Sequence, residues 1–130
     1  MTTAFEGLRV LVVDDSNTIR KTAETLLARA GCEVITAADG FDALAKIAER
    51  RPQIVFVDIM MPRLDGYQTC SLIKHHPELK EIPVIMLSSK DGLFDKAKGR
   101  LVGADDYLTK PFSKNELFAA LEKYAPVPTP

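Results

Sequence analysis

Five polar residues stand at the ends of four short, strand-like segments. Asp14 and Asp15 follow residues 8–13, Asp58 follows 54–57, Ser88 follows 84–87, and Lys110 closes 106–109. Three carboxylates brought to one edge repel each other and raise each other's pKa. Lys110 offsets one of the three charges and leaves about −2. A divalent cation cancels the remainder, and an all-oxygen donor set favours Mg²⁺, which binds through few carboxylates plus waters and phosphate. An aspartate carboxylate is also a nucleophile toward phosphorus and forms an aspartyl phosphate. Phosphoryl transfer asks mainly for positioning and for neutralisation of the equatorial oxygens. Mg²⁺, the Lys110 ammonium and the Ser88 hydroxyl would supply both. Taken singly, each residue has a plainer reading. An Asp-Asp pair after a strand is a turn or a helix cap, a lysine before proline is a surface lysine, and Ser88-Ser89 solubilises a loop. Four positions at the carboxyl ends of four different strands are a much more specific pattern.

Those ends have to be assembled by the rest of the chain, which alternates strand and helix five times. Residues 8–13 are apolar except Arg9 and form a first strand. The spacing predicts a helix over 17–30, with Ile19, Ala23, Leu26, Leu27 and Ala30 on one face. Gly31 sits where a left-handed cap would end it. A second strand covers 32–37, and Asp39-Gly40 opens a helix to about Arg50 with Ala43, Leu44, Ile47 and Ala48 apolar. Pro52 blocks its continuation. Residues 54–57 are apolar throughout, as expected of a strand covered on both faces. A loop over 61–66 leads to a short helix ending near His75. Pro83 opens a strand over 84–87, a loop and helix fill 89–102, and a last strand covers 106–109. Ser113 and Glu116 form a capping box for the final helix, whose Leu117, Leu121 and Tyr124 share a face. The expected division is an N-terminal extension over 1–7, one domain over 8–124 and a flexible tail over 125–130.

Alternating strands and helices predict an α/β fold with a doubly wound, five-stranded parallel sheet and right-handed crossovers. The expected strand order is 2-1-3-4-5, the flavodoxin-like one, in which ligands sit at the carboxyl ends of the strands. All five flagged residues lie there.

Composition narrows the partners. The 130 residues suffice for one domain. Hydrophobic residues at 46% and charged residues at 27% exclude a disordered or fibrous class. A net charge of −1 without blocks of like charge gives no footprint for nucleic acid or for an anionic membrane. No apolar run approaches the ~20 residues of a spanning helix, and no basic-then-apolar start marks a signal peptide. Cys32 and Cys70 lack metal or redox spacing and read as two free, largely buried thiols in a reducing cytoplasm.

The motifs Val12-Val13-Asp14-Asp15-Ser16, Val57-Asp58-Ile59-Met60-Met61-Pro62-Arg63-Leu64-Asp65-Gly66, Leu87-Ser88-Ser89 and Lys110-Pro111-Phe112 resemble those of response-regulator receiver domains, the CheY-like fold. The resemblance spans about 8–124. It implies that Asp58 is the phosphoacceptor, and that Asp14, Asp15, Asp58 and the backbone carbonyl of Met60 hold Mg²⁺. Lys110 would bind the phosphoryl group, Ser88 would be the switch hydroxyl and Tyr107 the aromatic rotamer switch. Lys110-Pro111 would be cis. The stretches 39–46, 66–70 and 88–100 further resemble the PilG-type regulators of type IV pilus chemosensory systems, which implies twitching motility as the output.

No output domain follows the last helix, so the expected readout is the domain's own face, built by the fourth helix, fifth strand and fifth helix over about 92–124. The expected partners are a histidine kinase and a downstream protein target, with the chain a monomer or weak dimer and not an enzyme beyond its own phosphotransfer and dephosphorylation. A constitutive docking module that keeps the fold without the chemistry is the alternative. An aspartate-dependent phosphatase is disfavoured, because Met60 stands where a second aspartate would follow Asp58. Met60 and Lys90 are expected to tune the lifetime of the phosphoryl group.

Overall fold

The computed structural model describes residues 5–89 and 96–126. Five strands alternate with five helices: β1 Arg9–Val13, α1 Asn17–Arg29, β2 Glu33–Ala37, α2 Gly40–Arg50, β3 Ile54–Asp58, α3 Gly66–Lys74, β4 Val84–Ser89, α4 Lys96–Leu101, β5 Asp106–Lys110 and α5 Lys114–Tyr124. The strands form one all-parallel sheet in the order β2-β1-β3-β4-β5, as expected.

Parallel strands place alternate side chains on opposite faces, and each face carries its own core. Leu11, Val13, Val55, Val57, Val84 and Met86 pack beneath α2 and α3. Val10, Val12, Ile54, Phe56, Ile85 and Leu87 pack beneath α1 and α5. Central β3 is buried at every position, and edge strand β5 is half-buried. α2 meets the sheet through Ala43 and Ile47, one turn apart, with Leu44 half-buried beside them. Ala48 is exposed. It lies about 100° around the helix from Ile47, just outside the apolar stripe.

Strands β3, β4 and β5 run one or two residues beyond their expected ends. The parallel ladder continues through Asp58↔Leu87, Ser88↔Thr109 and Ser89↔Lys110, so Asp58, Ser88 and Lys110 are held by the sheet, while Asp14 and Asp15 lie just past the end of β1. Four helices start at this same edge from side-chain caps. Ser16, Asp39, Asp65 and Ser113 accept the amides of Ile19, Asp42, Gln68 and Glu116, and the last two pairs close full capping boxes. Gly31 carries the φ of +92° expected of a left-handed cap.

Part of the 1–7 segment is docked. Gly7 N donates to Gly31 O at 2.9 Å, and Phe5 packs on Phe118 with ring centroids 6.0 Å apart. Cys32 and Cys70 are free and buried. Burial is the main cause that pushes their thiols up to about 11 and about 12, so little reactive thiolate forms at neutral pH. Lys90 and the start of the expected readout face, 90–95, lie outside the described residues, as do 127–130 of the tail. Among the described residues no helix is long and apolar enough to cross a membrane.

Candidate functional site

The sheet register fixes the site. Val13 lies opposite Val57, so Asp14 and Asp58 emerge side by side from β1 and β3. Asp14 is fully buried, Asp58 is 3% exposed and Asp15 is exposed. One carboxylate oxygen from each of the three lies within 4.8 Å of the other two. Lys110 comes from the far end of β5 and bridges two of them, with Nζ 3.0 Å from Asp14 Oδ2 and 3.0 Å from Asp58 Oδ1. Ser88 is buried at the end of β4, between Asp58 and Lys110 in strand order. Asp14, Asp15, Asp58, Ser88 and Lys110 thus share one edge. The Lys110–Pro111 peptide is cis, as the resemblance implies.

The two remaining candidates stand differently. The Met60 amide donates to Asp58 Oδ1 at 3.3 Å, while the Met60 side chain is 74% exposed. Tyr107 is half-buried on β5 against the core cluster beneath α2 and α3.

Negative charge is undercompensated at this edge. Burial raises the Asp58 carboxyl from 3.8 to about 6, and the Asp14 charge adds to the rise. Hydrogen bonding and charge from Lys110, together with the Met60 amide, pull it down only in part. Lys110 is lowered by burial, but its bonds to Asp58 and Asp14 outweigh that and raise it. The donor set therefore fits a hard divalent cation: clustered oxygens, no sulfur or imidazole, and excess negative charge.

This arrangement has a pH signature. Between pH 3.8 and about 6 the folded chain holds a proton on Asp58 that the unfolded chain has released. The stability from that proton is fully present below the unfolded value and is lost as pH rises through about 6. In metal-free buffer at pH 7.5, Asp58→Asn is expected to be more stable than wild type by about 1–3 kcal/mol. The gap should close by pH 4. Urea denaturation of both proteins in EDTA measures it, and a gap independent of pH contradicts the assignment.

Three further features support this edge. Gly66 lets α3 press against β3, where a Cβ would stand 2.3 Å from Asp58 O. Arg63 adopts φ +68° and pairs with Asp39 at 3.1 Å, and Leu64 packs on Gly40, which docks the loop after Asp58 onto the start of α2. Arg20 donates through Nη1 to the Asp14 carbonyl and through Nη2 to Asn17 Oδ1. The Asp65-Gly66 turn marked the first place, but nothing in composition marked Arg20.

With this geometry in place, the comparisons agree with one another. Residues 10–122 match the family described as the response regulator receiver domain. The chain is 70% identical over 125 residues to Protein PilG of Pseudomonas aeruginosa, covering 96% of this chain and 93% of that one. Chemotaxis protein CheY4 of Vibrio cholerae has the same fold, with a TM-score of 0.85, 36% identity, and coverage of 91% of this chain and 98% of that one. The receiver domain of sensor histidine kinase PA1611 from P. aeruginosa superposes with a TM-score of 0.83 at 29% identity, over 91% of this chain and 97% of that one. In that structure a magnesium ion is coordinated in the active site cleft. Other relatives are transcriptional regulators of which the chain spans about half the length. A parallel 2-1-3-4-5 sheet that gathers three aspartates and a lysine at one edge, matched by family and by relatives over nearly its whole length, belongs to the response regulator receiver domain family.

Proposed function

We propose that the chain is a phosphorylation switch that accepts a phosphoryl group on Asp58 from a histidine kinase. The observation that carries this reading is the buried Asp58 carboxylate, flanked by Asp14 and Asp15 and bridged by Lys110. Among the described residues Lys110 and the Met60 amide both bind Oδ1, which leaves lone pairs on Oδ2 for attack. In the transfer Oδ2 forms a bond to phosphorus, the bond from phosphorus to the donor imidazole nitrogen breaks, and that nitrogen keeps the electron pair. Lys110 then exchanges part of its contact with Asp58 for a phosphoryl oxygen. The Ser88 hydroxyl, at the end of β4, donates to another. Asp14, Asp15, Asp58 and the Met60 carbonyl would hold Mg²⁺, which when bound supplies the remaining positive charge for the phosphoryl oxygens. The chain catalyses only its own phosphotransfer and the later hydrolysis by water, so it is not an enzyme with a separate product.

The output follows from the same residues. A phosphoryl group adds about −1.5 to −2 charges at Asp58. Ser88 moving toward it vacates space beside β5, and Tyr107 turns inward to fill that space. This biases the α4-β5-α5 face between two states that a partner protein distinguishes. Moving such a switch from 1:99 to 99:1 takes about 5.5 kcal/mol, which a few charge-assisted bonds of about 1.5–3 kcal/mol supply. Identity of 70% to PilG supports a role in type IV pilus control and twitching motility, inside the cytoplasm.

The test is phosphoryl uptake from acetyl phosphate, read by intact mass. With Mg²⁺ present one phosphoryl group is expected per chain. Excess EDTA should slow uptake at least about 100-fold, since removing the dominant charge stabiliser costs several kcal/mol. Metal should also raise the melting temperature, as ligand linkage requires. Absence of uptake under all conditions would favour a docking module that keeps the fold without the chemistry.

A further inference from the structure

We propose that Arg20 is a positioning residue of the acidic site and sets how well the site receives a divalent cation. The inference rests on the metal reading above. β1 ends at Val13 and α1 starts from its cap Ser16, so Asp14 and Asp15 alone span the gap. Asp14 is tethered on several sides. Its amide donates to Ala37 O at 3.1 Å, Oδ1 accepts the Ser16 amide at 2.9 Å, and Oδ2 accepts Lys110 at 3.0 Å. Asp15 is exposed, and the backbone beneath it places its carboxylate.

That backbone is the peptide unit joining Asp14 to Asp15. Its oxygen is the Asp14 carbonyl, which accepts Arg20 Nη1, while Nη2 of the same guanidinium grips Asn17 Oδ1. The peptide plane turns as a rigid unit. Any rotation swings the Asp15 side chain relative to Asp14 and Asp58, each of which now has one carboxylate oxygen within 4.8 Å of one of its own. The two-armed grip thus ties the plane to the first turn of α1. A guanidinium presents such a fork, whereas a lysine presents a single point of charge.

Charge alone predicts the opposite of positioning. A cation beside the site repels Mg²⁺, so an Arg20 that acted only by its charge would weaken binding. Arg20→Lys keeps the charge and loses the fork, which separates the two. Asn17→Ala removes the second anchor at an exposed position.

The experiment titrates Mg²⁺ into the unphosphorylated protein and follows amide chemical shifts around Asp14, Asp15 and Ser16. Thermal unfolding in EDTA serves as a check on the fold. Arg20→Lys is expected to bind Mg²⁺ about tenfold more weakly, the scale of an outer-sphere partner's loss. Asn17→Ala, which leaves the arm to the Asp14 carbonyl, should also bind more weakly, by up to about tenfold. Equal or tighter binding by Arg20→Lys overturns the proposal. If that variant does not fold, Asn17→Ala decides, and wild-type affinity there overturns it. A wild type whose amide shifts do not respond to Mg²⁺ overturns the metal reading itself, and this inference with it.

Discussion

Asp58→Asn is expected to take up no phosphoryl group under conditions where wild type takes up one. Three carboxylates share the edge, so the claim is that two of them cannot substitute for the third. Asp14 is fully buried with both oxygens engaged, Oδ1 by the Ser16 amide and Oδ2 by Lys110, so neither of its oxygens is clear of a hydrogen bond for attack on phosphorus. Asp15 is exposed, and among the described residues no ammonium bridges it. Only Asp58 combines burial, a lysine at 3.0 Å and one oxygen outside both bonds. Asparagine keeps the shape and loses the nucleophile, so uptake should fall below about one-hundredth of wild type, leaving no covalent route. Lys110→Ala keeps the nucleophile and loses a charge stabiliser, so its uptake should slow by about 10²–10³-fold while still landing on Asp58. Intact mass and peptide mapping after acetyl phosphate treatment check both. Wild-type labelling of Asp58→Asn would falsify the assignment.

The sequence made the architecture readable because burial on both faces leaves a plain mark. Residues 54–57 are apolar without alternation, which only a central parallel strand requires, and β3 lies at the centre of the sheet. Caps were equally plain, since Ser113 with Glu116 and Gly31 encode local geometry in adjacent letters. The site followed from the fold, because strand ends in a doubly wound sheet converge on one edge. Long-range contacts through atoms every residue owns were not readable. Arg20 acts on a backbone carbonyl, and any residue at position 14 offers one. The exposure of Ala48 is not readable either, because it adjoins Ile47 at the border of the buried stripe, where a small residue suits either side. The strands overran their expected ends because ladder pairing depends on the neighbouring strand as much as on the residues themselves.

Gly66→Ala is expected to destabilise the domain by about 2–4 kcal/mol and to lower its melting temperature by about 10 °C. One effect favours alanine: it restricts the unfolded chain more than glycine does, the main source of its better helix propensity, by about 0.4–1 kcal/mol. Against it stands a collision. The added Cβ would lie 2.3 Å from Asp58 O, 2.7 Å from Ile59 Cα and 2.9 Å from Asp58 C. All three are main-chain atoms, so no side chain can rotate away. Relief requires α3 to retreat, which strains the bond from Gly66 N to Ile59 O at 2.9 Å and the capping box at Asp65. Otherwise the end of β3 must bend, which moves Asp58 itself. The collision wins because a tightly packed interior has no space to absorb about 1 Å of overlap. Gly103→Ala is the contrasting case. Its nearest obstacles are Lys74 Cγ at 3.0 Å and Cβ at 3.2 Å, contacts that need a shift of only a few tenths of an ångström, so the cost there comes chiefly from its φ of +89° and should be about 1–2 kcal/mol. Urea denaturation of both variants measures the difference, and a Gly66→Ala protein as stable as wild type would refute the close approach. Since the displaced atoms belong to the backbone of Asp58, the proposed phosphoacceptor, the folded fraction of Gly66→Ala should also take up phosphoryl groups more slowly than Gly103→Ala.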